Sequence, residues 1–103
     1  MISVVVPLLN ETNLVSQLME EIFVNLETTG ETFEVICVDD GSTDSTLEKL
    51  LRFRNKDNRL KVVSFSRNFG LQAALTGGLD FAKGDYVIIM DGDFQDPPEL
   101  IPV

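Results

Sequence analysis

The sequence predicts an α/β fold, a Rossmann-like open and mainly parallel sheet with flanking helices. Two observations predict it: short β-branched apolar runs recur along the chain, and helical patterns separate them. Alternation of strand and helix produces βαβ units, which place parallel strands side by side through right-handed crossovers. No internal repeat or linker interrupts the 103 residues. We therefore expect residues 1–103 to belong to one domain.

Each predicted strand is an apolar run that is too short for a helix and is bounded by Pro, Gly, Asp or Ser. The runs are residues 2–6, 33–38, 60–65 and 86–90. Short continuous apolar runs of this kind are typical of strands that are buried on both faces. The pattern therefore predicts four buried strands.

Three helices are predicted between the strands. Apolar residues at helical spacing over residues 14–26 predict the first helix, and Gly30 is placed to end it. Ser45-Thr-Leu-Glu48 is a capping-box pattern and predicts the start of the second helix. The third is predicted over residues 70–83. Its Gly77-Gly78 pair is unfavourable in a helix, so we expect it to allow close packing against the sheet.

The last residues predict a further helix that is cut short. Asp96 followed by Pro97 and Pro98 is typical of a helix N-terminus, and the sequence stops about one turn later at Val103. We therefore expect residues 1–103 to be the N-terminal part of a longer protein. No apolar run approaches the ~20 residues that span a bilayer, and the start lacks signal-peptide features, which predicts a cytoplasmic chain without a transmembrane segment.

The composition excludes several classes of function. Seventeen acidic against eight basic residues give a formal net charge of −9 and a pI near 4.2, which argues against nucleic-acid binding. A phosphate-bearing ligand would need a cation between it and so acidic a protein. The absence of histidine and the single cysteine exclude a Cys/His zinc site, a disulfide and a His-dependent catalytic triad within this chain.

A segment that contains polar residues together with Gly or Pro follows every predicted strand. The opposite strand ends carry no comparable cluster. The segments are residues 7–11, 39–42, 66–70 and 91–96. Ligands of open α/β sheets bind beyond the carboxyl ends of the strands. We therefore predict a binding site at this edge of the sheet.

Asp91 and Asp93 are the candidate metal ligands. Gly92 allows a tight bend between them, and Gln95 can add an amide oxygen. Oxygen ligands suit Mg²⁺ or Mn²⁺, which keep several waters and complete their coordination with substrate phosphates. The alternative for an isolated Asp-x-Asp pair is an ordinary solvated loop.

The acidic pair after the second strand has two interpretations. At least one of Asp39 and Asp40 must face the crevice, where Asp40 could accept hydrogen bonds from a base or a ribose. Turn and capping chemistry explains the segment as well, and residues 42–45 are expected to be mostly structural. Arg67 could pair with a phosphate or with one of these acids. Pro7 could offer a flat surface to a base or simply end its strand.

The motifs together carry a resemblance to a known family. They are Val5-Val-Pro-Leu-Leu-Asn-Glu11, Val38-Asp-Asp-Gly-Ser-Thr-Asp44, Ser66-Arg-Asn-Phe-Gly70 and Met90-Asp-Gly-Asp-Phe-Gln-Asp-Pro-Pro-Glu99. They resemble the inverting family 2 glycosyltransferases with the GT-A fold, above all the polyprenyl-phosphate sugar transferases. The last motif is specific for that branch, although Gly92 and Phe94 stand where Ala and Leu are commoner.

The resemblance implies a UDP- or GDP-sugar donor, a lipid-phosphate acceptor and no nucleic acid. It implies a nucleotide pocket lined by Pro7, Leu9 and Glu11, with Asp40 and also Asp39 on the base. Asp91 and Asp93 would be the catalytic DxD motif, in which Asp93 and Gln95 hold the metal on the diphosphate. Asp91 and Arg67 are counted among the nucleotide-binding candidates.

The resemblance also implies a mechanism and a location. A lipid phosphate is largely a dianion at neutral pH, since its second pKa is about 6, and it would need no strong general base. The longer protein would work at the cytoplasmic face of the membrane, where it could form a homo-oligomer. Residues 1–103 alone are expected to be inactive, because the acceptor site would lie elsewhere.

Three alternatives remain open at this point. A two-component receiver domain also binds Mg²⁺ with an acidic pair, but there the pair ends the first strand. A haloacid-dehalogenase-like phosphatase also uses Asp-x-Asp, again after its first strand. The third alternative is a chain that folds poorly or self-associates through an incomplete sheet edge.

Overall fold

The computed structural model describes residues 1–90 and leaves residues 91–103 undescribed. Its strands are β1 (Ile2–Leu8), β2 (Phe33–Asp39), β3 (Leu60–Ser64) and β4 (Tyr86–Ile89). Its helices are α1 (Val15–Glu27), α2 (Thr46–Lys56) and α3 (Leu71–Phe81). The predicted alternation of strand and helix is confirmed.

The four strands form one parallel sheet in the order β3-β2-β1-β4. This arrangement confirms the predicted Rossmann-like fold. The chain moves outward from β1 to β3 and then returns to place β4 on the other side of β1. Such a reversal leaves a crevice at the carboxyl ends of the strands, where open α/β sheets bind their ligands.

Alternating residues of each strand face opposite helical layers. Val4, Val6 and Leu8 of β1 pack in one buried cluster with side chains of α1 and with Leu50 of α2. Val5 packs on the other face in a second cluster with Ala74 of α3. One face of the sheet therefore carries α1 and α2, and the opposite face carries α3.

The glycine pair in α3 allows the close packing that the sequence predicts. A Cβ atom on Gly78 would lie 2.3 Å from Cγ1 of Val5 and 3.1 Å from Cγ2 of Val38. A Cβ on Gly77 would lie 3.1 Å from the ring edge of Phe65. The backbone of α3 therefore rests directly on the sheet at Gly78.

Pro7 does not end β1, which corrects the strand-terminator interpretation. The carbonyl of Val5 accepts a hydrogen bond from Met90 N–H (2.9 Å) on the β4 side, and that of Leu8 accepts from Asp40 N–H (2.9 Å) on the β2 side. By this alternation the nitrogen of Pro7 faces the side of β4, which ends at Ile89. At this register the next hydrogen bond of the ladder would join the nitrogen of Pro7 to the carbonyl of Met90. Pro7 has no N–H to donate, so the described β1–β4 ladder stops at the Met90 hydrogen bond.

β4 is not buried as predicted. Tyr86 is 73% exposed and Ile89 is 47% exposed. Within residues 1–90, β4 pairs with β1 alone, and the buried contacts of α3 are with β1 and β2. β4 is therefore an edge strand of the described sheet.

The capping box predicted for α2 is wrong. Ser45 occupies the N-cap position but makes no side-chain capping hydrogen bond, and the carboxylate of Glu48 instead accepts from Arg52 at 2.6 Å. Asp44 takes the capping role, since its Oδ1 accepts from the N–H of Thr46 at 3.0 Å and from its hydroxyl at 2.6 Å.

A buried polar network lies toward the amino ends of the strands, where the sequence predicted no cluster. The Glu34 carboxylate accepts hydrogen bonds from Ser3 Oγ (2.5 Å), Lys61 Nζ (2.5 Å) and Lys83 N–H (2.7 Å). Burial alone would raise the pKa of Glu34, but these hydrogen bonds outweigh it and hold the pKa below its usual value. The network joins β1, β2 and β3 to the turn after α3.

Among residues 1–90, none of the three helices has the length and apolar character required to cross a bilayer.

Candidate functional site

A cleft of about 300 Å³ opens at the carboxyl edge of the sheet, between the ends of β1 and β2 and the first turn of α3. Four of the predicted nucleotide-binding residues line it: Pro7, Leu9, Glu11 and Asp40. The remaining lining residues are Leu8, Asn68, Gly70, Leu71 and Ala74. The cleft therefore combines a mostly apolar wall with carboxylate and amide groups at its rim.

The loop after β1 is held in place by the loop after β2. Asn10 adopts a left-handed conformation with φ of 54°, which Asn tolerates better than most residues. Its N–H donates to Ser42 Oγ (2.9 Å), and its Oδ1 accepts from Thr43 N–H (2.8 Å). These contacts fix the backbone between Leu9 and Glu11, the two loop residues that line the cleft.

Further hydrogen bonds interlock the two loops. The N–H of Glu11 donates to Thr46 Oγ1 (2.8 Å), and the N–H of Ser45 donates to Thr12 Oγ1 (3.0 Å). Hydrogen bonds from Thr12 and Thr46 hold the pKa of Asp44 well below its usual range. The expectation that residues 42–45 are mostly structural is confirmed.

Asp40 joins the cleft to the loop that precedes α3. Its side chain is buried, with 5% exposure, and its Oδ1 accepts from the N–H of Phe69 at 2.8 Å. Its Oδ2 accepts from the N–H of Gly70 at 3.1 Å. Asp40 therefore faces the crevice, as expected of one acid of the pair, and also fixes the backbone at the start of α3.

Gly41 lets this loop lie directly on the end of β2. It has a positive φ of 76°, and a Cβ atom there would lie 2.3 Å from the carbonyl carbon of Arg67 and 2.4 Å from the nitrogen of Asn68. No other residue type fits this contact without moving the loop.

Asp39 does not line the cleft. It is 2% exposed, and strand alternation places it on the same side of β2 as Val35 and Cys37, which belong to the α1 and α2 cluster. Its Oδ1 has no hydrogen-bond partner among the described residues. A contact between Asp39 and a base stays a prediction.

Arg67 forms no ion pair with an acid in the described part of the chain. Its guanidinium lies 4.6 Å from the ring centroid of Phe69, and it does not line the cleft. The predicted pairing with Asp39 or Asp40 is therefore not observed. A contact with a phosphate stays a prediction.

The sequence analysis did not single out five residues that line the cleft: Leu8, Asn68, Gly70, Leu71 and Ala74. Leu8, Asn68 and Gly70 lie within the segments of residues 7–11 and 66–70, so their position after a predicted strand was the available signal. Leu71 and Ala74 share the apolar face of α3. Their spacing alone indicates core residues, so it gave no signal for the cleft.

The predicted metal ligands Asp91, Asp93 and Gln95 lie outside the described residues. Among residues 1–90, no three Asp, Glu, Cys or His side chains are grouped to hold a metal ion. Met90, the last described residue, directly follows the carboxyl end of β4, is buried, and donates its N–H to the carbonyl of Val5 in β1. The oxygen donors of the three predicted ligands suit a hard divalent cation.

A family model described as "Glycosyl transferase family 2" matches residues 3–103. The chain belongs to glycosyltransferase family 2. The predicted family is thereby confirmed, and the receiver-domain and phosphatase alternatives are wrong.

Curated relatives match nearly all of the chain. An uncharacterized glycosyltransferase of Synechocystis sp. is 43% identical over 97% of the chain and 31% of its own length. The dodecaprenyl-phosphate galacturonate synthase of Rhizobium johnstonii is 39% identical over 98% of the chain and 30% of its own length. The undecaprenyl-phosphate 4-deoxy-4-formamido-L-arabinose transferase of Edwardsiella ictaluri is 37% identical over 98% of the chain and 31% of its own length. The chain thus spans about a third of the length of these relatives.

Solved structures share the fold of this chain. The mannosyltransferase PcManGT from Pyrobaculum calidifontis, in complex with GDP-Man and Mn²⁺, gives a TM-score of 0.80 at 30% identity, covering 89% of this chain and 27% of that one. TarS 1-349 from S. aureus, in complex with UDP-GlcNAc, gives a TM-score of 0.77 at 35% identity, covering 89% of this chain and 26% of TarS 1-349. Both proteins bind nucleotide sugars.

Proposed function

We propose that this chain forms the donor-binding part of a glycosyltransferase that transfers a sugar from a nucleoside-diphosphate sugar to a polyprenyl phosphate. The observation that carries the proposal is the cleft at the carboxyl edge of the sheet, lined by Pro7, Leu9, Glu11 and Asp40. The names of the curated relatives support a polyprenyl-phosphate acceptor. The GDP-Man and UDP-GlcNAc complexes support a nucleotide-sugar donor.

The base and ribose would occupy this cleft. Pro7 and Leu9 offer apolar surface to the flat base. Each carboxylate oxygen of Asp40 has lone pairs beyond the one that accepts from the α3 loop, so Asp40 can also accept from a base N–H or a ribose hydroxyl. Asp39 and Arg67 would need to move toward the ligand to contact it.

The diphosphate would be held through a divalent cation, Mg²⁺ or Mn²⁺, on Asp91, Asp93 and Gln95. The net charge of −9 supports this arrangement, because the acidic chain would otherwise repel two phosphoryl groups. The Mn²⁺ in the PcManGT complex also supports it. When bound, such a cation stabilises the negative charge on the departing nucleoside diphosphate.

The acceptor would attack from the face of the sugar opposite the nucleotide and invert the anomeric centre. A phosphate monoester is largely dianionic at neutral pH, with a second pKa of about 6, and needs no strong general base. The complete absence of histidine in the chain is compatible with this chemistry. A lipid acceptor would be held in a membrane, and we propose that the reaction takes place at its cytoplasmic face.

Calorimetric titration with UDP and GDP tests the donor site. We expect the chain to bind nucleotide in the presence of Mn²⁺ and not in the presence of EDTA. The Asp93→Ala variant should bind nucleotide equally in the two conditions. The matched control is Asp80→Ala, because Asp80 is exposed on the last turn of α3 and does not line the cleft. Equal nucleotide binding in Mn²⁺ and in EDTA would contradict the metal role, and failure to bind either nucleotide would contradict the donor site itself.

A further inference from the structure

Positive charge is concentrated on one part of this acidic chain. Six of its eight basic residues lie between residues 49 and 61: Lys49, Arg52, Arg54, Lys56, Arg59 and Lys61. Four of them belong to α2, whose only acidic residue is Glu48. α2 therefore carries a net positive charge in a protein whose formal charge is −9.

Three of these cations line a groove of about 210 Å³ between α1 and α2. Lys49, Arg52 and Lys56 lie three and four residues apart, so they form one stripe along α2. The groove is completed by Phe53 of α2 and by Ser16 and Glu20 of α1. None of these residues lines the donor cleft.

The positive charge of the groove is only partly neutralised. Arg52 pairs with Glu48 at 2.6 Å, but both side chains are more than 60% exposed, so solvent weakens the pair. Lys49 Nζ donates to the carbonyl of Thr12 at 2.8 Å, which is a neutral partner. Within residues 1–90, Lys56 has no ion-pair partner, and Glu20 is the one acid that lines the groove.

We infer that the groove between α1 and α2 binds a phosphate group at a site separate from the donor cleft. Arg and Lys side chains donate charge-assisted hydrogen bonds to phosphate oxygens, and the Ser16 hydroxyl adds a neutral donor. Repulsion among three like charges along one stripe disfavours the empty groove, and a bound anion relieves it. The phosphate belongs either to an anionic lipid headgroup or to a soluble polyphosphate. The inference does not depend on the proposed function.

Titration of the ¹⁵N-labelled 103-residue chain with inorganic pyrophosphate tests the site. EDTA is present throughout, so that metal-dependent binding in the donor cleft does not contribute. We expect saturable amide shifts around Lys49, Arg52 and Lys56. The double variant Arg52→Gln/Lys56→Gln should weaken binding at least about tenfold, the effect of losing charged hydrogen-bond donors.

The matched control is Arg54→Gln/Lys83→Gln. This control also removes two positive charges, but from residues that do not line the groove. The affinity of the control for pyrophosphate should stay within about twofold of that of the parent chain. Circular dichroism of both double variants checks that the fold is retained. An equal loss of affinity in both would overturn the site, because it would show attraction to general charge.

Vesicle sedimentation distinguishes the two sources of phosphate. Binding to phosphatidylglycerol vesicles but not to phosphatidylcholine vesicles, lost in Arg52→Gln/Lys56→Gln and kept in the control, supports a lipid headgroup. Saturable pyrophosphate binding without vesicle binding supports a soluble ligand. Absence of both overturns the inference.

Discussion

The carboxylate of Asp40 accepts a hydrogen bond from the N–H of Gly70 at 3.1 Å, and so connects the end of β2 to the residue that precedes α3. Its other oxygen accepts from Phe69 N–H at 2.8 Å. A single side chain therefore shapes the wall of the cleft and presents its own lone pairs there.

Replacing Asp40 by Asn should destabilise the fold and weaken nucleotide binding together. Asn has one acceptor oxygen where Asp has two, so one of the two backbone N–H groups would lose its charged acceptor. A hydrogen bond to a charged group contributes about 1.5–3 kcal/mol, and the loss should lie at the lower end because Gly70 N–H also donates to Asn68 Oδ1 at 2.9 Å. Urea unfolding measures the first effect, and calorimetric titration with UDP or GDP in Mn²⁺ measures the second. Asp80→Asn, on the exposed surface of α3, should change neither. Unaltered stability in Asp40→Asn would show that the two hydrogen bonds contribute nothing.

Gly41→Ala should disrupt the cleft, whereas Gly30→Ala should not. Both glycines have a positive φ, 76° and 73°, so each substitution carries about 1–2 kcal/mol of backbone strain. A Cβ at Gly30 meets nothing within 4 Å, but one at Gly41 would meet the backbone of Arg67 at 2.3 Å. Urea unfolding should show the larger loss in Gly41→Ala, and nucleotide titration should show weakened binding only there. Equal losses in the two variants would rule out the proposed contact.

Gly78→Ala should destabilise the fold more than Gly77→Ala. At either position, alanine stabilises the helix relative to glycine by about 1 kcal/mol through its higher helix propensity. At Gly78 the new methyl group would meet Cγ1 of Val5 at 2.3 Å inside the core, whereas at Gly77 it would meet the ring edge of Phe65 at 3.1 Å. Thermal unfolding of both variants measures the difference. A Gly78→Ala variant as stable as Gly77→Ala would mean that α3 can lift from the sheet at little cost.

The Glu34 network should make stability depend on pH on the acidic side. Because the folded-state pKa of Glu34 is lowered from its usual value of 4.5, its contribution is complete above that value and is lost as pH falls through the folded-state pKa. Urea unfolding between pH 7 and pH 3 should therefore show a decline that is shallower in Glu34→Gln. The control Glu31→Gln, at an exposed position, should keep the slope of the parent chain. Parallel slopes in all three proteins would contradict the lowered pKa.

The elements of the fold and one wall of the cleft were predictable, because both follow from local patterns. Apolar runs and helical spacing depend on neighbouring residues, and parallel strands bring the segments after their carboxyl ends together whatever the details of packing. For this reason Asp40 could be placed in the crevice from its position after β2.

Other features depend on contacts between distant parts of the chain. The Glu34 network unites residues 3, 34, 61 and 83, whose sequence neighbourhoods show no cluster. The exposure of β4 depends on where α3 lies, and the capping of α2 by Asp44 depends on the loop that follows β1. None of these relationships leaves a periodic signal in the sequence.

The proline within β1 has a consequence for what can enter beside it. Residue 7 lines the cleft and has no amide proton, so the backbone presents no hydrogen-bond donor at this point of the wall. A flat ring that rests against the pyrrolidine therefore meets apolar surface and leaves no backbone N–H without a partner.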